Sequence, residues 1–302
     1  LSATEGAGIT ELIATAAARF SGELSVSASN LSTGEAVELN AQSVMPTASV
    51  IKQPILVALL RQVAEGHVDL ASRMTMEADD RVGGSGILKV FSGGLQPTVE
   101  DVATLMIALS DNTATNMIVD LIGGVGVVNR AMSDLGLPGI ELINRIDFDI
   151  INDDASNLAL ASTHDMRVLN ELIATERAFS PFVSRETERI MATQQYLDQG
   201  LRYVLVNPYA VELGVTAEIS SASKTGFISG VRVDSAIVRF GAGGGFVYSL
   251  ANRHSEDRTF LPEAEGALVN GYVGRALTEY WWPGAPGTAP VADSPLLAQW
   301  AE

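Results

Sequence analysis

Apolar residues recur along this chain in two rhythms, and the switches between them mark its elements. Ile9, Leu12, Ile13, Ala16 and Ala17 fall at helical spacing, which predicts an amphipathic helix over 9–20. Residues 23–40 alternate instead. Leu24, Val26 and Ala28 precede the turn sequence Ser32-Thr33-Gly34-Glu35, and Ala36, Val37 and Leu39 follow it, a β-hairpin pattern. Helical spacing returns over 47–64. Thr98-Val99-Glu100-Asp101 resembles a capping box and opens a helix whose Val102, Leu105, Met106 and Leu109 share a face. Further helical stripes cover 115–122, 125–135 and 164–175, while 136–161 is irregular and polar in its middle. Alternation resumes over 218–225, 235–241 and 245–252 between glycine-rich turns, and 261–282 reads as a last helix.

One hairpin near the start and three strands near the end imply a single antiparallel sheet with strands from both ends of the chain. The middle helices cannot all lie on that sheet, so an all-helical lobe is expected beside it. The predicted class is α+β: an α/β/α sandwich with an antiparallel sheet of about five strands, plus the helical lobe. One catalytic unit would span 1–282, with a sheet lobe over 1–45 and 190–282 and a helical lobe over 46–189. A site between the lobes is expected. The tail, 283–302, is punctuated by Pro-Gly, Ala-Pro and Ser-Pro and reads as an extended appendage; its Leu296, Leu297 and Trp300 are candidates for self-association.

Composition narrows the chemistry. The 302 residues are 47% hydrophobic, ample for a full core. Lys and Arg number 19 against 36 Asp and Glu, a formal charge of −17, which argues against nucleic-acid or anionic-membrane partners. No apolar run reaches the roughly 20 residues that cross a bilayer. The first twenty residues, carrying Glu5 and Glu11, lack a leader profile. Without cysteine there are no disulfides, thiolate nucleophiles or Cys-ligated metals, and His67, His164 and His254 are scattered. The run at 241–245 precedes a strand and reads as a hairpin turn instead of a phosphate loop.

Ser49-Val50-Ile51-Lys52 opens the helix predicted over 47–64. Three residues turn a helix by about 300°, so Ser49 and Lys52 would share a face, with Ser49 in the first turn where backbone N–H groups are unpaired. A desolvated lysine can lose its proton and serve as the base that a hydroxyl nucleophile needs. A second Ser-x-x-Lys, Ser221 to Lys224, lies in a strand, where that spacing sends the two side chains to opposite faces.

Two further triplets, Ser110-Asp111-Asn112 and Lys224-Thr225-Gly226, complete a set in the order and context found in class A β-lactamases and penicillin-binding proteins. With Gly84-Ser85-Gly86, the run from Thr98 to Asn116, and Ser162 to Met166, the chain resembles class A β-lactamase-type serine hydrolases over roughly residues 10–282. The likeness leans toward environmental relatives. It implies Ser49 as acylated nucleophile, Lys52 as base or relay, and Ser110 with Lys224 passing a proton to the leaving group. Asn112 would bind an acylamide side chain, Thr225, Gly226 and Arg232 would line the site for a substrate carboxylate, and the N–H groups of Ser49 and Phe227 would form the oxyanion hole. Asn116 would brace the loop before 161. The resemblance also implies a small, carboxylate-bearing substrate, no metal or cofactor, and a periplasmic or secreted location.

One departure stands out. The loop glutamate that activates the deacylating water in class A enzymes aligns with Ile146, in Asn144-Arg145-Ile146-Asp147-Phe148-Asp149. Asp147, then Asp149, is the nearest carboxylate; each is either a base for deacylation or a loop aspartate that is solvated or paired with Arg145. Three functions therefore stay open: β-lactam hydrolysis, hydrolysis of another amide, ester or peptide, and a penicillin-binding protein that remains acylated.

Overall fold

The computed structural model describes residues 6–285, apart from 153, 205, 208 and 242. The first helical stripe is α1 (Gly6–Arg19). The alternating stretch after it is the hairpin of β1 (Glu23–Asn30) and β2 (Ala36–Leu39), with Val26 opposite Leu39 and Ala28 opposite Val37. After β3 (Val44–Pro46), a 3-10 turn at Ala48–Ile51 leads into α2 (Lys52–Ala64). Helix α3 (Val99–Ala108) begins at the capping box: Thr98 Oγ1 accepts from Asp101 N, and the Asp101 carboxylate accepts from Thr98 N. Helices α4 (Asn112–Leu121) and α5 (Val125–Asp134) follow.

The stretch read as irregular holds β4 (Glu141–Leu142), the single-turn α6 (Phe148–Ile151) and β5 (Ala159–Ser162). Strands β3, β5 and β4 form a small sheet that the hydrophobic pattern did not reveal, because strands this short carry no alternation to read. Then come α7 (Thr163–Ala174), α8 (Pro181–Met191), α9 (Ala210–Leu213), β6 (Ile219–Ile228), β7 (Val231–Phe240), β8 (Gly245–Arg253) and α10 (Glu265–Trp281). Helix α8 buries Ser184 and Thr187 beside Val183 and Ile190, which blurs its apolar stripe.

The main sheet is antiparallel and five-stranded, in the order β2-β1-β8-β7-β6. On one face Phe246, Tyr248 and Leu250 pack with Val269, Tyr272 and Leu277 of α10 and with Ile13 of α1. On the other, Val233, Ile237 and Val247 join the core of the middle helices. Both faces are covered, so β7 and β8 read as nearly unbroken buried runs. Trp281 packs on Phe246 and Trp282 on Phe240, with ring centroids 5.2 and 4.6 Å apart, tying α10 to the sheet. The tail with Leu296, Leu297 and Trp300 lies outside the described residues. None of the described helices is long and apolar enough to cross a membrane.

Two departures from the sequence pattern position the site. Strand β7 starts at Val231, four residues earlier than predicted, because Gly230 (φ +70°) allows a tight reversal after β6. The reversal pairs Thr225 with Asp234 and Phe227 with Arg232. The helix predicted from 47 starts as a 3-10 turn, so Ser49 precedes the first α-helical turn. Edge strand β6 passes tightly against that turn. A Cβ on Gly226 would lie 2.8 Å from Ser49 N and 2.9 Å from Thr47 O, so only glycine permits this approach.

Candidate active site

Ser49, part-exposed on its 3-10 turn, lines a cleft of about 450 Å³. Two of its neighbours hold left-handed backbone conformations that non-glycine residues rarely adopt: Ala48 (φ +43°) and Ser110 (φ +52°). Such conformations persist only where surrounding contacts enforce them, and they cluster at functional sites. The flanking loop is enforced by Asp111. Its carboxylate caps α4 through Ala114 N (3.0 Å) and also accepts from Ile87 N (2.6 Å) and Leu88 N (2.8 Å). The middle residue of the Ser-Asp-Asn triplet thus holds the 84–88 loop, and with it Ser85, at the edge of the cleft.

Lys52 is fully buried. Its Nζ lies 2.7 Å from Ser110 O, 3.0 Å from Ser110 Oγ and 2.8 Å from Asn112 Oδ1. Burial, reinforced by the charge of Lys224, pushes its pKa well below the ordinary lysine value, and Asp111 opposes this only in part. In all three contacts Nζ donates, to two carbonyl oxygens and to the Ser110 hydroxyl, so the amine is held on the two residues of the α3–α4 junction. Ser49 Oγ is not one of the three partners, so Ser110 stands closest to the lysine nitrogen in this resting arrangement.

Lys224 is equally buried on β6, and its Nζ donates to Thr225 O at 2.6 Å. Burial pushes it down to about 7 against the attraction of Asp234 and Asp198. Asp234, facing Thr225 in the β6–β7 register, is pushed up to about 7 by burial although Tyr248 Oη and Gly200 N both donate to its Oδ2. Thr225 Oγ1 is buried with no partner. An orphaned hydroxyl beside a convertible lysine is suited to receive an anionic oxygen.

Asn112 Oδ1 is committed to Lys52, and its Nδ2 gives one hydrogen to Gly83 O, leaving the other for a ligand. Phe227 lines the cleft, but Arg232 does not. The Arg232 guanidinium donates to Ile228 O, Val231 O and Thr259 O, and lies 5.9 Å from the Phe227 ring and 5.8 Å from that of Phe260. It borders a smaller adjoining hollow of about 170 Å³ with Asp198 and Gln199.

Across the cleft, Asn116 clasps the loop through both ends of its amide: Nδ2 donates to Ile146 O and Oδ1 accepts from Ile146 N, each at 2.9 Å. The clasp fixes the backbone of Ile146, which lines the cleft. Asp147 turns to another task, accepting from Asp149 N as the cap of α6; neither aspartate lines the cleft. Arg145 pairs with Asp120 at 3.1 Å. Phe148, Tyr196, Phe260 and Asp234 also border or support the site, and sequence reasoning did not single them out. Each comes from a segment with no recognisable spacing to the triplets. No cluster of His, Asp or Glu suited to a metal occurs among the described residues.

Comparison with known proteins agrees with this geometry. A family model described as the beta-lactamase enzyme family matches residues 8–281. A β-lactamase from Streptomyces cellulosae is 29% identical over 187 residues, which is 59% of this chain and only 60% of that relative's length. The crystal structure of a β-lactamase from Sphaerobacter thermophilus superposes with a TM-score of 0.80 at 26% identity, covering 94% of this chain and 99% of that one. A mutant of PBP-A, solved as an acyl-enzyme complex with penicillin G, superposes with a TM-score of 0.78 at 26% identity, over 91% and 96% of the two chains.

Proposed function

The chain belongs to the beta-lactamase enzyme family, and from that premise we propose that it is a serine hydrolase that opens β-lactams through an acyl-enzyme on Ser49 and releases the product slowly. The observation that carries this reading is the pairing of a fully buried Lys52, its pKa lowered by burial and Lys224, with Ser110 beside a cleft that no carboxylate lines. Ser49 Oγ attacks the lactam carbonyl as Lys52 takes its proton. Ser110 hands a proton to the departing nitrogen, and the backbone N–H groups of Ser49 and Phe227 hold the oxyanion. Each such donor contributes about 2.7–4 kcal/mol to the transition state. The PBP-A acyl-enzyme supports the covalent step. Hydrolysis of the ester then lacks a base at Ile146, so acylation outruns deacylation. The same apolar feature favours a second reading, in which the natural substrate is an ester or amide other than a β-lactam.

Intact-protein mass spectrometry after mixing with penicillin G tests the proposal. A Ser49 adduct that persists for minutes or longer is expected, and absence of any adduct would overturn it. Ile146→Glu, which restores a carboxylate to the cleft, is expected to shorten the adduct's lifetime by about 10²–10⁴-fold, the usual contribution of a positioned general base. An unchanged lifetime would show that the missing carboxylate is not what limits turnover.

The acylation step should also carry a pH signature. Lys224, pushed down to about 7, is a cation below that pH and neutral above it. Its attraction for a substrate carboxylate is therefore present at low pH and lost as pH rises through about 7. The adduct-formation rate with penicillin G is expected to fall across that interval, while a carboxylate-free ester shows no such fall. Asp234→Asn removes negative charge that favours the protonated lysine, so the fall should move to lower pH. Stopped-flow rates against pH read both effects.

A further inference from the structure

The cleft lining is chemically mixed, with a few polar residues and a larger apolar set. Ser49, Ser85 and Asn112 supply polar lining, and the loop wall supplies Ile146, Phe148, Ile151, Ala155 and Leu158. None of these lining residues carries a charge; the cations of the site, Lys52 and Lys224, are fully buried. Ile146, Ile151, Ala155 and Leu158 are buried and fixed in the main core, so this wall is a built surface. Phe148 and Phe260, 50% and 63% exposed, stand as apolar rims at its mouth. Phe227 and Ile228 complete the carbon-lined side.

A substrate carbonyl seated at Ser49 has two substituents to place. The leaving heteroatom must receive a proton and so belongs beside Ser110. The acyl part is left to the apolar lining. Resting on the proposed Ser49 nucleophile, we propose that the enzyme's preferred substrates are esters of neutral, extended apolar acyl groups, with the hydrocarbon chain lying against the 146–158 wall.

The chemistry balances without a co-reactant beyond water. Ser49 Oγ bonds to the acyl carbon as the carbon–alkoxide bond breaks, and the proton lost by Ser49 passes to the departing alcohol. Water then cleaves the Oγ–carbon bond, releasing the carboxylic acid and returning a proton to Ser49. A cavity of about 450 Å³ falls within the range of small-molecule sites and can take a chain of several carbons. Each methylene moved from water to such a wall is worth about a fourfold gain in rate when the contact is made in the transition state.

p-Nitrophenyl esters from acetate to octanoate test this, with the burst of p-nitrophenol reporting acylation and Ser49→Ala giving the background. The acylation rate constant is expected to climb by about fourfold per methylene until the chain fills the cleft. A rate that stays flat or falls with chain length, while penicillin G still labels Ser49, would overturn the acyl-chain assignment and leave the nucleophile standing. If neither esters nor penicillin G modify Ser49, the nucleophile itself is wrong. Leu158→Asn should flatten the chain-length slope to less than twofold per methylene. Phe148→Asn, at a half-exposed position that need not disturb the core, should lower it in the same direction, and an undiminished slope in both variants would overturn the role of the wall.

Discussion

Replacing Ser49 with alanine is expected to eliminate covalent labelling by penicillin G and to lower ester turnover by on the order of 10⁶-fold, the scale seen when the nucleophile of a serine hydrolase is removed. Every later step depends on the Oγ–carbonyl bond, so the rest of the site cannot compensate. The residual rate would come from substrate binding and the oxyanion donors alone. The change should leave the fold intact. Ser49 is part-exposed, and its hydroxyl is not among the hydrogen-bond partners of Lys52. Melting temperature measured beside labelling separates chemical loss from unfolding. An alanine variant that still hydrolyses esters at the wild-type rate would refute the mechanism.

Lys52→Met is the second large effect. Methionine keeps the length and apolar stem but has no lone pair to accept a proton, so acylation is expected to slow by about 10²–10⁴-fold. Label should still accumulate on Ser49 over long incubation, which distinguishes loss of the base from loss of the nucleophile. Ser110 O and Asn112 Oδ1 each lose a donor, and an orphaned buried acceptor costs about 1–3 kcal/mol. Stability should therefore fall measurably, and adduct rates have to be read well below the melting midpoint. If wild-type acylation were retained, the base would have to be another group.

The order of these two effects reflects how the polar centre is assembled. Lys52 comes from α2, Ser110 and Asn112 from the α3–α4 junction, and Lys224 from β6. The structure brings Lys52, Ser110 and Asn112 within hydrogen-bond distance across about sixty residues of sequence. Arg232 borders the adjoining smaller hollow, and Asp147 caps α6. Arg232 is drawn behind Phe227 by three backbone carbonyls, and Asp147 is used to start α6. Arg232 was carried over from the resemblance and Asp147 as the carboxylate nearest Ile146, and neither route specifies side-chain direction once a tight turn or a cap intervenes.

Long-range pattern made most of the architecture legible. Alternation marked β1, β2, β6 and β8, helical spacing marked α1, α2 and α10, and the capping box at Thr98 located the start of α3. These are local or periodic signals, written by which side chains must leave water, and they survive in a single sequence. The departure at Ile146 was visible there only through the resemblance to class A enzymes, which aligns their loop glutamate with that position. What it does was not. Only the tertiary structure decided that Asn116 clasps the backbone of Ile146, that Ile146 and four neighbouring apolar residues line the cleft, and that burial beside Lys224 lowers the proton affinity of Lys52. Cleft shape and proton affinity depend on distances and desolvation between segments far apart in the chain, and periodicity within each segment carries no record of them.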